Sequence, residues 1–261
     1  MKLMRLKAPP IALAFSTLGS FLILFLMIPI LLLYFTTSAE SMLGIPYDEE
    51  AVKAILLSLL AATTATGVSL LFGIPLAFIL ARYTFTGKSL VEAVVDLPLV
   101  IPHSVAGIAI LVAYSSRSMV GSLLSNLGVI IEDTFWGIVA AMTFVSATIL
   151  INTARDGFQA IDREYEHVAR TLGAPLHTVF FNIYLPLSFK PILSGAIMTW
   201  ARAMSEVGAI LIVAYYPKIA PILIVDRFLN YGLAASKPIA CTLLSISIAI
   251  FVALRFLAKR R

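Results

Sequence analysis

Six long apolar stretches alternate with short polar ones along the chain, over about 11–35, 55–81, 94–114, 135–151, 192–214 and 239–257. Each reaches the roughly 17 residues that a helix needs to cross a bilayer at 1.5 Å per residue. The pattern predicts an all-α, polytopic membrane protein with six transmembrane helices. The first stretch follows a basic start and resembles a signal peptide in outline. At 25 residues, however, it is longer than the roughly 7–15 of a signal h-region, so it predicts a retained span. Pro75, Pro98 and Pro102 fall in the second and third stretches and predict kinks there.

Composition agrees with this reading: of 261 residues 60% are hydrophobic and 13% charged, with a mean hydropathy of +0.99. A soluble domain carries about a quarter charged residues. The net charge of +5 belongs to membrane topology rather than to nucleic acid. With the N-terminus inside, the outer loops hold five basic residues: Lys53, Arg117, Lys218, Arg227 and Lys237. Arg202 lies within a span, which leaves 13 of the 19 Lys and Arg on the inner side. That bias predicts cytoplasmic N- and C-termini and a multi-pass protein of the cell membrane. The single cysteine, Cys241, excludes an intramolecular disulfide and a cysteine-based zinc site and is expected to be an apolar filler. Small residues of the second stretch, among them Ala61, Ala62, Ala65 and Gly67, are expected to let helices approach closely.

One long polar segment, about 152–191, interrupts the pattern on the predicted inner side. Ile161, Tyr165, Val168 and Leu172 recur at helical spacing, flanked by Asp162, Arg163, Glu164, Glu166, His167 and Arg170. Gly173 is placed to stop that helix, Pro175 to open a second short one carrying Val179, Phe180, Phe181 and Ile183, and Pro186 to end it. By pattern alone this helix–break–helix suits either an element lying on lipid headgroups or a docking surface for a cytoplasmic partner.

The segment is similar to the coupling loop of permease subunits in ABC importers. The family signature is Glu-Ala-Ala, three residues, Gly, nine residues, Ile, any residue, Leu-Pro. Here Ala169, Gly173, Ile183, Leu185 and Pro186 match at that spacing, while His167 and Val168 replace the usual Glu and first Ala. Two further stretches, "DLPLVIPHSVAGIAILVAY" (96–114) and "RAMSEVGAILIVA" (202–214), resemble the third and fifth spans of the molybdate/tungstate/sulfate branch. The resemblance implies the type I ABC importer permease fold, with coupling helices between spans four and five. A tail, first helix and outer loop would occupy 1–50, and the transmembrane core 51–261, with the coupling segment at about 158–186. It implies a permease homodimer, two ATPase subunits that bind ATP and magnesium, and an extracytoplasmic binding protein that delivers a tetrahedral oxyanion, molybdate or tungstate ahead of sulfate. The ATPase-coupling residues would be Glu164, Tyr165, Glu166, His167, Val168, Ala169, Gly173, Ile183, Leu185 and Pro186. This chain itself is expected to bind no cofactor or metal and to catalyse nothing. Its Gly87-Lys88-Ser89 lacks the earlier glycine of a phosphate loop, Arg82 standing there instead, and reads as a turn.

Charges within spans are costly and often functional. Arg202 and Glu206 are four apart and share a helix face, as a structural salt bridge or as part of a path or gate. Hydroxyls that could line a weakly binding anion path include Thr63, Thr64, Ser104, Ser146 and Ser205. His103, beside Pro102, and Asp96 are expected to serve structural roles. A stand-alone channel or ion-coupled transporter is the alternative reading, but it leaves the Gly–Ile–Leu–Pro spacing unexplained. No paired histidines of metal spacing and no Gly-x-Ser-x-Gly support an intramembrane enzyme.

Overall fold

The computed structural model describes residues 10–260, and among them every regular element is helical. Lys2, Arg5, Lys7 and Arg261, which weigh in the topology argument, lie outside the described residues. The chain opens with α1 (Pro10–Phe35) and a short α2 (Ala39–Gly44), then the long α3 (Glu49–Arg82). α4 (Lys88–Val100) and α5 (His103–Tyr114) follow, then α6 (Met119–Asn126) and α7 (Phe135–Gln159). α8 (Arg163–Thr171), α9 (Leu176–Val179) and α10 (Leu185–Leu187) form the polar segment. α11 (Phe189–Met204), α12 (Ile210–Val213), α13 (Ala220–Tyr231) and α14 (Leu233–Arg260) complete the chain.

Among the described residues, four helices are long and apolar enough to cross a membrane: α1, α3, α7 and α14. The other two expected spans are broken. The third is not one rod but two helices, α4 and α5, set at 120°. The break falls at Ile101, which is extended (φ −71°, ψ 128°) because a residue before proline is pushed out of the helical region. Pro98 and Pro75, by contrast, sit inside helices without ending them. The fifth expected stretch is likewise interrupted: α11 stops at Met204 and α12 begins only at Ile210. In between, the Glu206 carboxylate accepts the Ala209 N–H at 2.8 Å, so a side chain rather than a helical carbonyl satisfies that amide.

α3 and α7 form the spine, and α11 packs on both. Ala61, Ala62 and Ala65 are fully buried on α3, as their size predicts. Gly67 differs: it is exposed with open space around its Cα, so it is not a packing residue. Close approach is required instead at Gly157, where a Cβ would stand 2.6 Å from Pro191 at the α7–α11 contact. Cys241 is buried, as expected of a filler. α1, in contrast, carries exposed apolar side chains along its length, such as Phe15, Phe21 and Phe25.

At the N-terminal end of α3 a cluster of ion pairs ties α13 to the spine. Asp48 caps α3 by accepting the Ala51 N–H at 3.0 Å and meets Arg227 Nη1 at 2.5 Å. Lys218 bonds Asp226 at 2.7 Å, and Arg227 reaches Glu50 at 3.2 Å. The Arg227 hydrogen bond holds the Asp48 carboxyl below the usual carboxylate range, and Lys218 does the same for Asp226. A depressed folded pKa contributes stability above the unfolded value near 3.9, which is lost as pH falls through the folded one. Thermal unfolding in detergent should therefore show an acid-side loss of stability that starts only below about pH 4. Asp48→Asn keeps a good cap and should flatten part of that loss; an unchanged acid limb would separate these pairs from stability.

Candidate functional site

The polar segment is built around Gly173. Asp162 starts α8 by accepting the Glu164 N–H at 3.0 Å. The helix ends in a Schellman turn: the Gly173 N–H donates to Arg170 O and the Ala174 N–H to Ala169 O, each at 3.0 Å. Gly173 has φ +88°, a left-handed conformation natural for glycine. Pro175 then caps α9. Pro186 does not end the second helix, as the sequence suggested. Phe180–Tyr184 form a π turn in which the Leu185 N–H donates to Phe180 O, and Pro186, lacking an N–H, opens α10. The matched Ile183, Leu185 and Pro186 thus make an irregular turn that re-aims the chain into α11.

Two faces of α8 have different fates. Tyr165, Val168 and Leu172 are exposed, beside exposed Glu164 and His167. Ile161, which was expected on the same stripe, precedes the cap and packs inward with Ala169, Ile183 and Leu185. Glu166 also turns inward and accepts the Tyr184 hydroxyl at 2.7 Å. Its carboxylate stands 3.5 Å from Nη2 of Arg82, the last residue of α3. The Arg82 guanidinium donates to Ile161 O at 2.9 Å and lies 4.6 Å above the Tyr184 ring. Burial pushes the Tyr184 phenol well above its ordinary pKa, and the bond to Glu166 adds to that. Sequence reasoning missed Arg82 as part of this segment: it was read as one more inner-side basic residue, and its partners lie 76 to 79 residues away and beyond.

The second site lies where the two interrupted stretches meet. Gly208 faces His103, where a Cβ would come within 2.7 Å, and Gly107 faces Ala209 O at the same distance. Across this contact Glu206, 1% exposed, takes His103 Nδ1 at 2.8 Å and Arg202 Nη1 at 3.2 Å. Arg202 Nη2 lies 3.0 Å from His103 Nε2 and 3.2 Å from its Nδ1, so the guanidinium packs against the imidazole as well as the carboxylate. Arg202 is 13 residues into α11, roughly 20 Å along the helix. His103 is therefore a member of the charged cluster, and Asp96 anchors α4 to α7 by accepting Asn152 Nδ2 at 2.7 Å. Ser104, Ser205 and Thr63 are exposed near this end, and Thr63 accepts the Trp200 indole N–H at 3.3 Å. Thr64 spends its hydroxyl on Leu60 O. Ser146 is fully buried and bonded to Met142 O, which makes it a packing position rather than one lining an open surface.

Helices of spanning length, two interrupted apolar stretches that meet at a charged cluster, and a polar helix–turn–helix mark a multi-pass membrane protein. The chain belongs to the family of binding-protein-dependent transport system inner membrane components, whose model matches residues 73–261. It is 51% identical over 249 residues to the molybdate/tungstate transport system permease protein of Thermococcus kodakarensis, covering 95% of this chain and 96% of that one. It is 34% identical to a probable sulfate transport system permease protein of Mesostigma viride, over 92% of each. Among solved structures, a chain of a bacterial ABC transporter involved in the import of the acidic polysaccharide alginate superposes with a TM-score of 0.70 at 21% identity, over 95% of this chain and 94% of that one. The fold is thus that of an ABC importer permease, and the protein is a membrane component of a transporter, not an enzyme.

Proposed function

We propose that this chain forms the translocation path for molybdate or tungstate in an ATP-driven importer. The observation that carries the reading is half-identity, over nearly the whole of both chains, to a molybdate/tungstate permease. Six spans follow if α4–α5 and α11–α12 each count as one broken crossing beside α1, α3, α7 and α14. Both termini then lie in the cytoplasm, with α8–α10 on the same side and the Asp48–Arg227 cluster outside. Two copies pair, and two ATPase subunits that hold ATP and magnesium sit beneath them.

Within that frame the exposed Tyr165, Val168 and Leu172, with Glu164 and His167, form the face received by an ATPase cleft. Gly173 and the Ile183–Pro186 turn hold it at a fixed angle to the bundle. ATP-driven closure of the ATPases moves this unit, and α3, α7 and α11 carry the motion to the broken spans. A charged group at membrane depth seldom faces lipid, which supports putting Arg202, with His103 and the exposed Ser104 and Ser205 beside it, on the path between the two copies. Arg202 attracts the dianion, while Glu206 offsets that charge so that the anion is released rather than trapped.

The test is reconstitution of the chain with its ATPase and extracytoplasmic binding protein in liposomes. Binding protein loaded with tungstate or molybdate should stimulate ATP hydrolysis and uptake several-fold more than sulfate-loaded protein. A preference for sulfate would transfer the substrate assignment to the sulfate branch, and uptake without ATP hydrolysis would refute the importer reading.

A further inference from the structure

The Arg82 guanidinium is 5% exposed, at the very end of the longest helix. Its contacts come from the end of α7, from α8 and from the π turn. Nη1 donates to Ile161 O at 2.9 Å and reaches Phe158 O at 3.5 Å, both at the exit of α7. Nη2 faces Glu166 of α8 at 3.5 Å. The plane covers Tyr184 of the π turn, and Tyr184 in turn holds Glu166. Arg163, the first residue of α8, bonds back to Arg82 O at 3.4 Å. A buried cation normally spends all its donors, yet Nε and Nη2 make no hydrogen bond. Lipid contact or bundle packing would not require a desolvated arginine here, because an aliphatic side chain would fill the same space at lower cost.

We infer that Arg82 is a positioning residue, the joint that makes the coupling unit and α3 move as one body. The inference rests on the transporter reading above and adds to it the point where force enters the bundle. The Glu166 carboxylate and the Tyr184 ring, themselves joined by a hydrogen bond, grip the guanidinium from two segments at once. Glu166, not the residue in the signature's Glu position, provides the acidic group of the segment that acts within the chain, while His167 beside it stays exposed.

The experiment uses the reconstituted complex and reads ATP hydrolysed per anion imported. Arg82→Gln should lower import at least tenfold while hydrolysis stays within about twofold and the ATPase still co-purifies. Arg82→Lys keeps charge but not the fork, so it should recover import only in part. Tyr184→Phe keeps the ring under the cation and removes only the hydroxyl bond to Glu166. It should raise the ATP cost per anion by a smaller factor, which keeps the inference testable should Arg82→Gln not fold. Unchanged stoichiometry in both Arg82→Lys and Tyr184→Phe would overturn the joint. So would a parallel fall of import and hydrolysis with loss of the ATPase, which marks a merely structural role. If the unmodified complex imports nothing, the transporter reading falls and the joint falls with it.

Discussion

Gly173→Pro should abolish coupled import, lowering uptake at least tenfold relative to ATP hydrolysis in the reconstituted complex, while the chain still inserts and assembles. Proline fixes φ near −65°, and Gly173 needs +88°. Proline also removes the N–H that donates to Arg170 O, so half of the Schellman closure disappears. The turn cannot be rebuilt in place, and α8 leaves the chain at a new angle. The bundle below it keeps its packing, because Gly173 is exposed and touches no core residue. Gly173→Ala separates direction from space. Nothing lies within 4 Å of the added Cβ, so its cost is the left-handed strain alone, about 1–2 kcal/mol. It should therefore leave most import intact. His167→Ala, at an exposed position whose side chain supports no internal contact of the segment, should leave assembly intact as well. Equal import in the proline and alanine forms would sink the argument that the angle of α8 matters.

The residues behind that prediction were legible in the sequence because each acts locally. Gly173 stops a helix, Pro175 starts one, and the fixed spacing to Ile183, Leu185 and Pro186 survives any tertiary context. The long apolar runs were legible for the same reason, since hydropathy depends only on composition within a window. Direction was not legible. The window over 94–114 is apolar on both sides of Ile101–Pro102, so it hides a 120° turn. The window over 192–214 hides the break at Ser205–Ala209, because the cause is one Glu206 oxygen capturing one amide. Ile161 fitted the α8 stripe by spacing yet stands before the cap, where helical periodicity has not begun. Arg82 was read as an inner-side basic residue and His103 as structural because their partners are remote in sequence: Arg82 meets Tyr184 and Glu166, and His103 meets Arg202 and Glu206. Distance along the chain, not weakness of the interaction, concealed them.

The largest effect at membrane depth is expected at Arg202 and Glu206, and a pair of substitutions separates packing from transport. Glu206→Gln keeps the shape and can still accept the Ala209 N–H, but its amide offers donors to Arg202, which already has only donors. The guanidinium is then left unpaired beside His103. Breaking a buried pair costs about 3–5 kcal/mol, and the lower end applies because the Arg202 side chain is 27% exposed. Arg202→Gln costs at least as much, since it leaves the Glu206 carboxylate, 1% exposed, without its guanidinium and held only by His103 and the Ala209 N–H. Removing both charges together leaves no uncompensated ion, so Arg202→Gln with Glu206→Gln should unfold close to the unmodified protein and show strong non-additivity. Import should behave differently. If Arg202 draws the dianion and Glu206 limits how tightly it is held, the double variant has lost the attracting charge, and uptake stays at least tenfold down although stability has returned. Thermal unfolding and uptake measured on the same four proteins decide between the two roles. Recovery of both in the double variant would make the cluster a structural salt bridge, whereas recovery of stability alone places the moving anion against Arg202.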